Sequence, residues 1–170
     1  MKILGCVLVI AISMVIGRLL AESYVDRVKN LSNFITALEM LKSKILFQQE
    51  IFEDIFDDIS QVCNKVLKGF FTEITEELRN SNIPVSEIWC RKVEEHFPYF
   101  DFTYEDEKIL LDFGALLGKD DLEGQVRLIN STIERLKGQL MAADAEKNKY
   151  AKLYRTIGGI GGTALAVILI

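Results

Sequence analysis

The 170-residue chain is poor in the residues that interrupt helices or build chemical sites: two prolines, three cysteines and one histidine. So few prolines, with hardly any alternating strand-like runs, exclude an all-β architecture and predict an all-α protein. Cys6, Cys63 and Cys90 are an odd and widely spaced set, which excludes a disulfide framework and a zinc site. All three read as small apolar core residues. A lipoprotein reading of Leu4-Gly5-Cys6 fails because no basic region and apolar run precede it.

Catalytic patterns are also missing. His96 has no cysteine at a fixed short spacing, so it reads as a solvated or capping histidine. No Walker-type glycine loop occurs. Glu-x-x-His pairs, which a di-iron bundle needs, are absent. The expectation is no enzyme, no cofactor and no bound metal. A concentrated basic face with interleaved aromatics is lacking too, which argues against nucleic acid as a partner.

What the chain does have is charge-free ends. Ile3 to Gly17 and Thr156 to Ile170 carry no charged side chain. A spanning helix needs about 20 residues. The first run reaches that length from Ile3 to about Ala21 if Arg18 snorkels to the headgroups. A cleaved signal peptide would also use Lys2, a short apolar core and Ala21. Arg18 in the cleavage region, and helical patterning that continues to Ile45, favour a retained anchor. The second run is shorter and glycine-rich, so it spans only by tilting, thinning the bilayer or borrowing flanking residues. Ser13 with Gly17, and Gly158 with Gly162, are small-xxx-small pairs that suit close helix packing in lipid.

Charge orients these ends. Residues 46–123 hold 7 Lys/Arg against 19 Asp/Glu, a net of −12, while the remainder carries +7. Arg18, Arg27 and Lys29 follow the first run, and Lys147, Lys149, Lys152 and Arg155 precede the second. The positive-inside rule then places the middle of the chain in the cytoplasm. The expected domains are an N-terminal transmembrane anchor over 1–21, a cytoplasmic helical bundle over 22–155 and a C-terminal membrane segment over 156–170.

Within the bundle, Val28, Leu31, Ile35, Leu38, Leu41 and Ile45 mark one long helix, and Leu122, Val126, Ile129, Ile133, Leu136, Leu140 and Ala143 another. Both run toward an end, so they should pair antiparallel as a stalk. Between them, Phe52, Ile55, Ile59, Val62 and Val66 predict a helix that ends at Gly69. Phe71, Ile74 and Leu78 predict the next. Pro84 starts a third, with Val85, Ile88, Trp89 and Val93 inward. Thr103 precedes a fourth, with Ile109, Leu110, Phe113 and Leu117 inward and Gly118 as its C-terminal cap. Asp120 and Glu123 have the spacing of a capping box for the last helix. Phe97, Tyr99, Phe100 and Phe102 plug the bundle end or form a partner patch. Glu53, Asp54, Asp57 and Asp58 form an acidic face, either solvated or docking a basic partner.

The run Gly114-Ala115-Leu116-Leu117-Gly118-Lys119-Asp120-Asp121-Leu122-Glu123-Gly124-Gln125 resembles the LG-x-x-D-x-x-x-Q-type signature of the stage III sporulation protein AB family; Asp120 and Gln125 fall one residue apart from the loosest form of that spacing, and Gly118, Asp120 and Gln125 hold its gist. Tyr24 to Leu31 with Arg27, Leu38 to Ile45, Trp89, and Lys152-Leu153-Tyr154 before the glycine-containing tail match in the same order. Gln48-Gln49-Glu50-Ile51 departs from the family pattern in having no proline. The resemblance implies a soluble part similar to the cytoplasmic domain of type II secretion F (pilus platform) proteins, a bundle of about six helices. It also implies a scaffold role in the secretion-like channel between mother cell and forespore, in the mother-cell side membrane. The implied partners are a cytoplasmic secretion-type ATPase, other stage III sporulation channel proteins and further copies of the chain. A competing reading, without the resemblance, is a membrane-anchored sensor or signalling module that dimerises through its two long helices.

Overall fold

A computed structural model describes residues 2–47 and 51–151; side chains are described at Ile12, Val15, Ile16, Arg18 and Leu19, and from Ala21 to Phe47 and Ile51 to Tyr150. Among the described residues there are six α-helices and no strand: α1 Lys2–Phe47, α2 Phe52–Val62, α3 Lys65–Asn80, α4 Val85–His96, α5 Tyr104–Leu116 and α6 Leu122–Glu146. A 3-10 turn, Phe97–Tyr99, follows α4, and a π-helical turn, Lys147–Ala151, follows α6. Among the described residues, no helix is long and apolar enough to cross a membrane. Residues 156–170, including Gly158 and Gly162, lie outside the described residues, as do the surroundings of Ser13 and Gly17.

The chain divides into two compact units. The first gathers both ends, Met1–Val28 and Met141–Ile170. In it Ala21 and Ala143 are buried. The rings of Tyr24 and Tyr150 stack at 5.6 Å, and Arg27 Nη1 donates to Glu146 Oε2 at 2.7 Å. Those pairings run antiparallel, 24 with 150 and 27 with 146.

The second unit, Lys29–Leu140, holds an aromatic core. Phe34 of α1 is fully buried among Phe70, Phe71, Phe100 and Phe102, with centroids 5.3–6.1 Å away. Leu31, Ile35, Leu38 and Leu41 of α1 are buried, as are Ile129, Ile133 and Leu136 of α6. The middle of each long apolar stripe is therefore covered within a single chain, whereas Leu122 at the start of α6 is 44 % exposed. Lys42 Nζ donates to Asn130 Oδ1 at 3.1 Å, linking α1 to α6 in this unit.

Two boundaries differ from the sequence reading. The helix expected to run from Phe52 to Gly69 stops at Val62, because the backbone turns extended at Cys63 and Asn64. Asn64 Oδ1 accepts from the N–H of Leu67 at 3.0 Å and so opens α3, which runs through Gly69 to Asn80. Val62 points to solvent and is 62 % exposed, although it keeps the apolar spacing. The second difference is at α6. Asp121 Oδ1, not Asp120, accepts from the third residue of the helix, Gly124, at 2.8 Å. Asp120 Oδ1 accepts instead from the N–H of Asp121 at 2.9 Å, so the expected Asp120–Glu123 box does not form, and Gly124 has no side chain with which to reciprocate the Asp121 cap.

The remaining ends follow the sequence. Pro84 precedes the first residue of α4 with φ −59° and ψ 141°. Thr103 and Asp106 form a reciprocal capping box at α5. Gly118 follows α5 with φ +75°, a left-handed position that suits glycine. Phe100 and Phe102 are buried and close the core, while Tyr99 is 69 % exposed. Cys63 and Cys90 are free thiols of intermediate burial rather than core residues, and the Cys6 side chain lies outside the described residues.

Candidate functional site

The residues singled out in the signature converge on the corner between α5 and α6. Gly118 closes α5, and its N–H donates to Gln125 Oε1 at 3.1 Å. Gln125 Nε2 donates in turn to the carbonyl of Leu116 at 3.3 Å. Gln125 is 5 % exposed, so one amide side chain satisfies two backbone groups of the turn away from bulk water. Asp120 is exposed; its Oδ1 accepts from the N–H of Asp121 at 2.9 Å, and its carboxylate lies where a Cβ on Gly124 would stand. The arrangement holds a helix–helix corner rigid. It brings together no nucleophile and base.

Asp121 is the residue the sequence reading passed over. Counted from Leu117-Gly118, the aspartate at the signature spacing is Asp121, which is also four residues before Gln125. Its capping bond to Gly124 explains why an aspartate stands there.

Trp89 occupies the centre of the second unit. It is fully buried, its Nε1–H donates to the carbonyl of Leu110 at 3.0 Å, and its ring meets Phe113 edge-on at 5.0 Å. Asn30 is a second unforeseen residue. Its Nδ2 donates to the carbonyl of Phe100 at 3.0 Å, and its Oδ1 accepts from Asn64 Nδ2 at 2.9 Å. This buried asparagine joins α1 to the cap of α3 and to the aromatic loop.

Arg27 belongs to the first unit, where its side chain is 7 % exposed against a Glu146 that is 45 % exposed. A cation held this far from water requires its partner, so the pair fixes the register of the two chain ends.

The acidic face of α2 is partly neutralised from within. Asp57 and Asp54 face Arg79 at 3.3 and 3.9 Å, and Asp58 pairs with Lys44. Solvation alone therefore does not describe this face. Glu53 stands at the start of α2, in its first turn with Asp54.

His96 is not solvated either. Its Nε2 lies 3.1 Å from Glu73 Oε2, and its ring stacks on Phe100 at 6.0 Å. Burial works against the Glu73 charge, but hydrogen bonds from His96 and Lys92 hold the carboxyl below its ordinary value. Among the described residues, no group of three or more His, Cys, Asp or Glu side chains could hold a metal ion.

Comparison with known proteins gives one consistent result. The family model described as stage III sporulation protein AB (spore_III_AB) matches residues 2–170. Stage III sporulation protein AB of Bacillus subtilis (strain 168) is 19 % identical over 169 residues, which is 99 % of each chain. A solved structure of stage III sporulation protein AB (SpoIIIAB) superposes with a TM-score of 0.69 at 15 % identity, covering 73 % of this chain and 98 % of that one. At that identity the superposition speaks for the fold.

Proposed function

Because the chain belongs to the stage III sporulation protein AB family, we propose that it serves endospore formation as a non-enzymatic platform subunit held at a membrane by both of its ends. One observation carries the reading. The helical segments that lead into the two charge-free runs pair antiparallel: the Tyr24 and Tyr150 rings stack at 5.6 Å and Arg27 Nη1 donates to Glu146 Oε2 at 2.7 Å. Segments rooted side by side in lipid require such a pairing.

In this reading residues 1–21 and 156–170 are the membrane segments, and residues 22–155 form the cytoplasmic bundle. Ser13, Gly17, Gly158 and Gly162 let the two anchors approach closely. The basic residues flanking both runs attract the anionic inner leaflet, at about 1 kcal/mol each near the surface. The membrane is the mother-cell side membrane around the forespore. The partners are other stage III sporulation proteins of the secretion-like channel, further copies of this chain and a cytoplasmic secretion-type ATPase. A stiff helical body can pass force from such a motor to a membrane assembly without a catalytic step of its own. The acidic α2 face, Glu53, Asp54, Asp57 and Asp58, is the proposed contact for the ATPase.

Deleting the gene in its host tests the role. The expected outcome is arrest after engulfment and loss of heat-resistant spores; a deletion strain with normal heat-resistant counts refutes it. Reversing the four α2 carboxylates to Lys should weaken ATPase pull-down. Melting must be recorded alongside, because three of the four hold basic partners within the chain.

A further inference from the structure

The helices of the second unit alternate in direction, so its turns gather at two ends. Asn30 knits one end together. It bonds the carbonyl of Phe100 in the α4–α5 loop and the side chain of Asn64 in the α2–α3 turn. The turns at Ile51, Pro84 and Lys119 meet at the other end, around one shared depression. From there α6 passes Lys42 of α1 at Asn130 and leaves the unit at Leu140. The chain therefore enters this unit, at Lys29, and leaves it at the Asn30 end.

That end presents apolar side chains to water. Val62, Tyr99 and Tyr104 are 62 %, 69 % and 77 % exposed. Their backbone is fixed: Asn64 caps α3 just after Val62, and the Thr103–Asp106 box sets the entry to α5 at Tyr104. The space behind them is already filled by Phe70, Phe100 and Phe102, packed ring on ring. Charge is balanced here. The turns 61–68 and 97–105 set exposed Lys65 and Lys68 against Asp101 and Glu105, whereas the stretch 46–123 as a whole carries −12.

We infer that this end of the bundle is a lipid-contact surface, whose Val62, Tyr99 and Tyr104 enter the headgroup layer of the bilayer that holds the two chain ends. The inference rests on the membrane attachment proposed above and adds a contact outside both end segments. A tyrosine joins an apolar ring to a polar hydroxyl, a pairing that suits the border between hydrocarbon and water. The tether is short: eight residues of helix, about 12 Å, separate Ala21 from Lys29. The headgroup layer is itself about 5–8 Å deep. Lys65 and Lys68 add cations that meet lipid phosphates. The opposite end exposes Phe47 and Ile51 but is unsuited to this contact. Glu53, Asp54, Glu87, Asp120 and Asp121 lie at its turns beside Lys119, so an anionic leaflet repels it.

Photolabelling of the full chain from within the bilayer tests the inference. The chain is reconstituted in vesicles of equal parts phosphatidylcholine and phosphatidylglycerol, with a trace of phospholipid bearing a diazirine just below its glycerol. Adducts mapped by mass spectrometry should fall in residues 61–68 and 97–105 at least fivefold more often than in 46–53. That last segment is the internal control, since Phe47 and Ile51 are also apolar and exposed but lie at the opposite end. The comparison is made within the parent chain, so it stands whatever a variant does to folding. The triple variant Val62→Ser, Tyr99→Ser and Tyr104→Ser alters only exposed positions. It should cut the adducts in 61–68 and 97–105 at least fivefold and leave those in 3–17 and 156–170 unchanged. Labelled end runs with neither turn labelled would overturn the inference, and that is the result expected if a protein or a second copy covers the patch. Labelling of 46–53 as strong as that of the turns would overturn it too. Turns labelled without the end runs would instead remove the anchors and keep the lipid contact, and no labelling anywhere would remove both.

Discussion

Trp89 packs so closely against Gly114 that a Cβ at Gly114 would overlap the Cδ1 atom of the indole and lie 3.0 Å from Cys90 Sγ. The contact joins α4 to α5 and makes the glycine inside α5 necessary despite its low helix propensity.

The sign of a stability change checks this directly. On propensity alone Gly→Ala in a helix gains about 0.5–1 kcal/mol. At Gly114 overpacking should outweigh that gain, leaving Gly114→Ala less stable by about 1–2 kcal/mol. At Gly138 of α6 nothing lies within 4 Å of the added Cβ, so Gly138→Ala should be more stable. Chemical denaturation of both variants beside the parent reads out the two signs.

Gln125 satisfies the N–H of Gly118 and the carbonyl of Leu116 with one side chain. Gln125→Ala leaves both groups unpaired in a half-dry corner and should cost about 1–3 kcal/mol. Hydrogen exchange should show the Gly118 amide losing protection in that variant, while the Asn80 amide at the end of α3 stays as it was.

Glu73 gives a pH signature. Its folded value lies below the ordinary 4.5 despite the opposing effect of burial, because His96 and Lys92 donate to it. A lowered carboxyl contributes stability that is full above the unfolded value and is lost as pH falls through the folded one. Melting temperatures of the parent and Glu73→Gln should therefore differ most near pH 6–7 and converge as the pH is taken below about 4.

Cys63 is pushed up to about 11 by burial. The thiolate is the reactive form, so at pH 8 its population is about 100-fold below that of a thiol at the ordinary value of 9.0. Iodoacetamide should alkylate Cys63 correspondingly more slowly than a cysteine introduced at exposed Glu134, and denaturant should abolish the difference.

Much of the bundle was legible because its long helices obey a single period. Leu31, Leu38 and Leu41, and Ile129, Ile133 and Leu136, are spaced as one buried stripe each and are buried as such. Thr103 announced its own helix through a local bond to Asp106, a signal contained within four residues. The break at Cys63–Asn64 was hidden because Ile59, Val62 and Val66 continue the apolar spacing across it. What stops α2 is the cap supplied by Asn64, whose side chain is also held by Asn30, 34 residues away. Long-range polar ties of that kind leave no periodic trace. His96 was misread for the same reason: Glu73 and Phe100 surround it only after α3, α4 and the aromatic loop have packed. At the α5–α6 corner the spacing did contain the answer, but Asp120 and Asp121 are adjacent and only the backbone direction at Gly118 decides which one caps α6.

The attachment of both ends to lipid is tested most directly by fractionating sporulating cells that express the intact chain. The account predicts that the polypeptide stays in the membrane pellet through high salt and alkaline carbonate and is released only by detergent. Recovery of the full-length chain in the supernatant without detergent would contradict it.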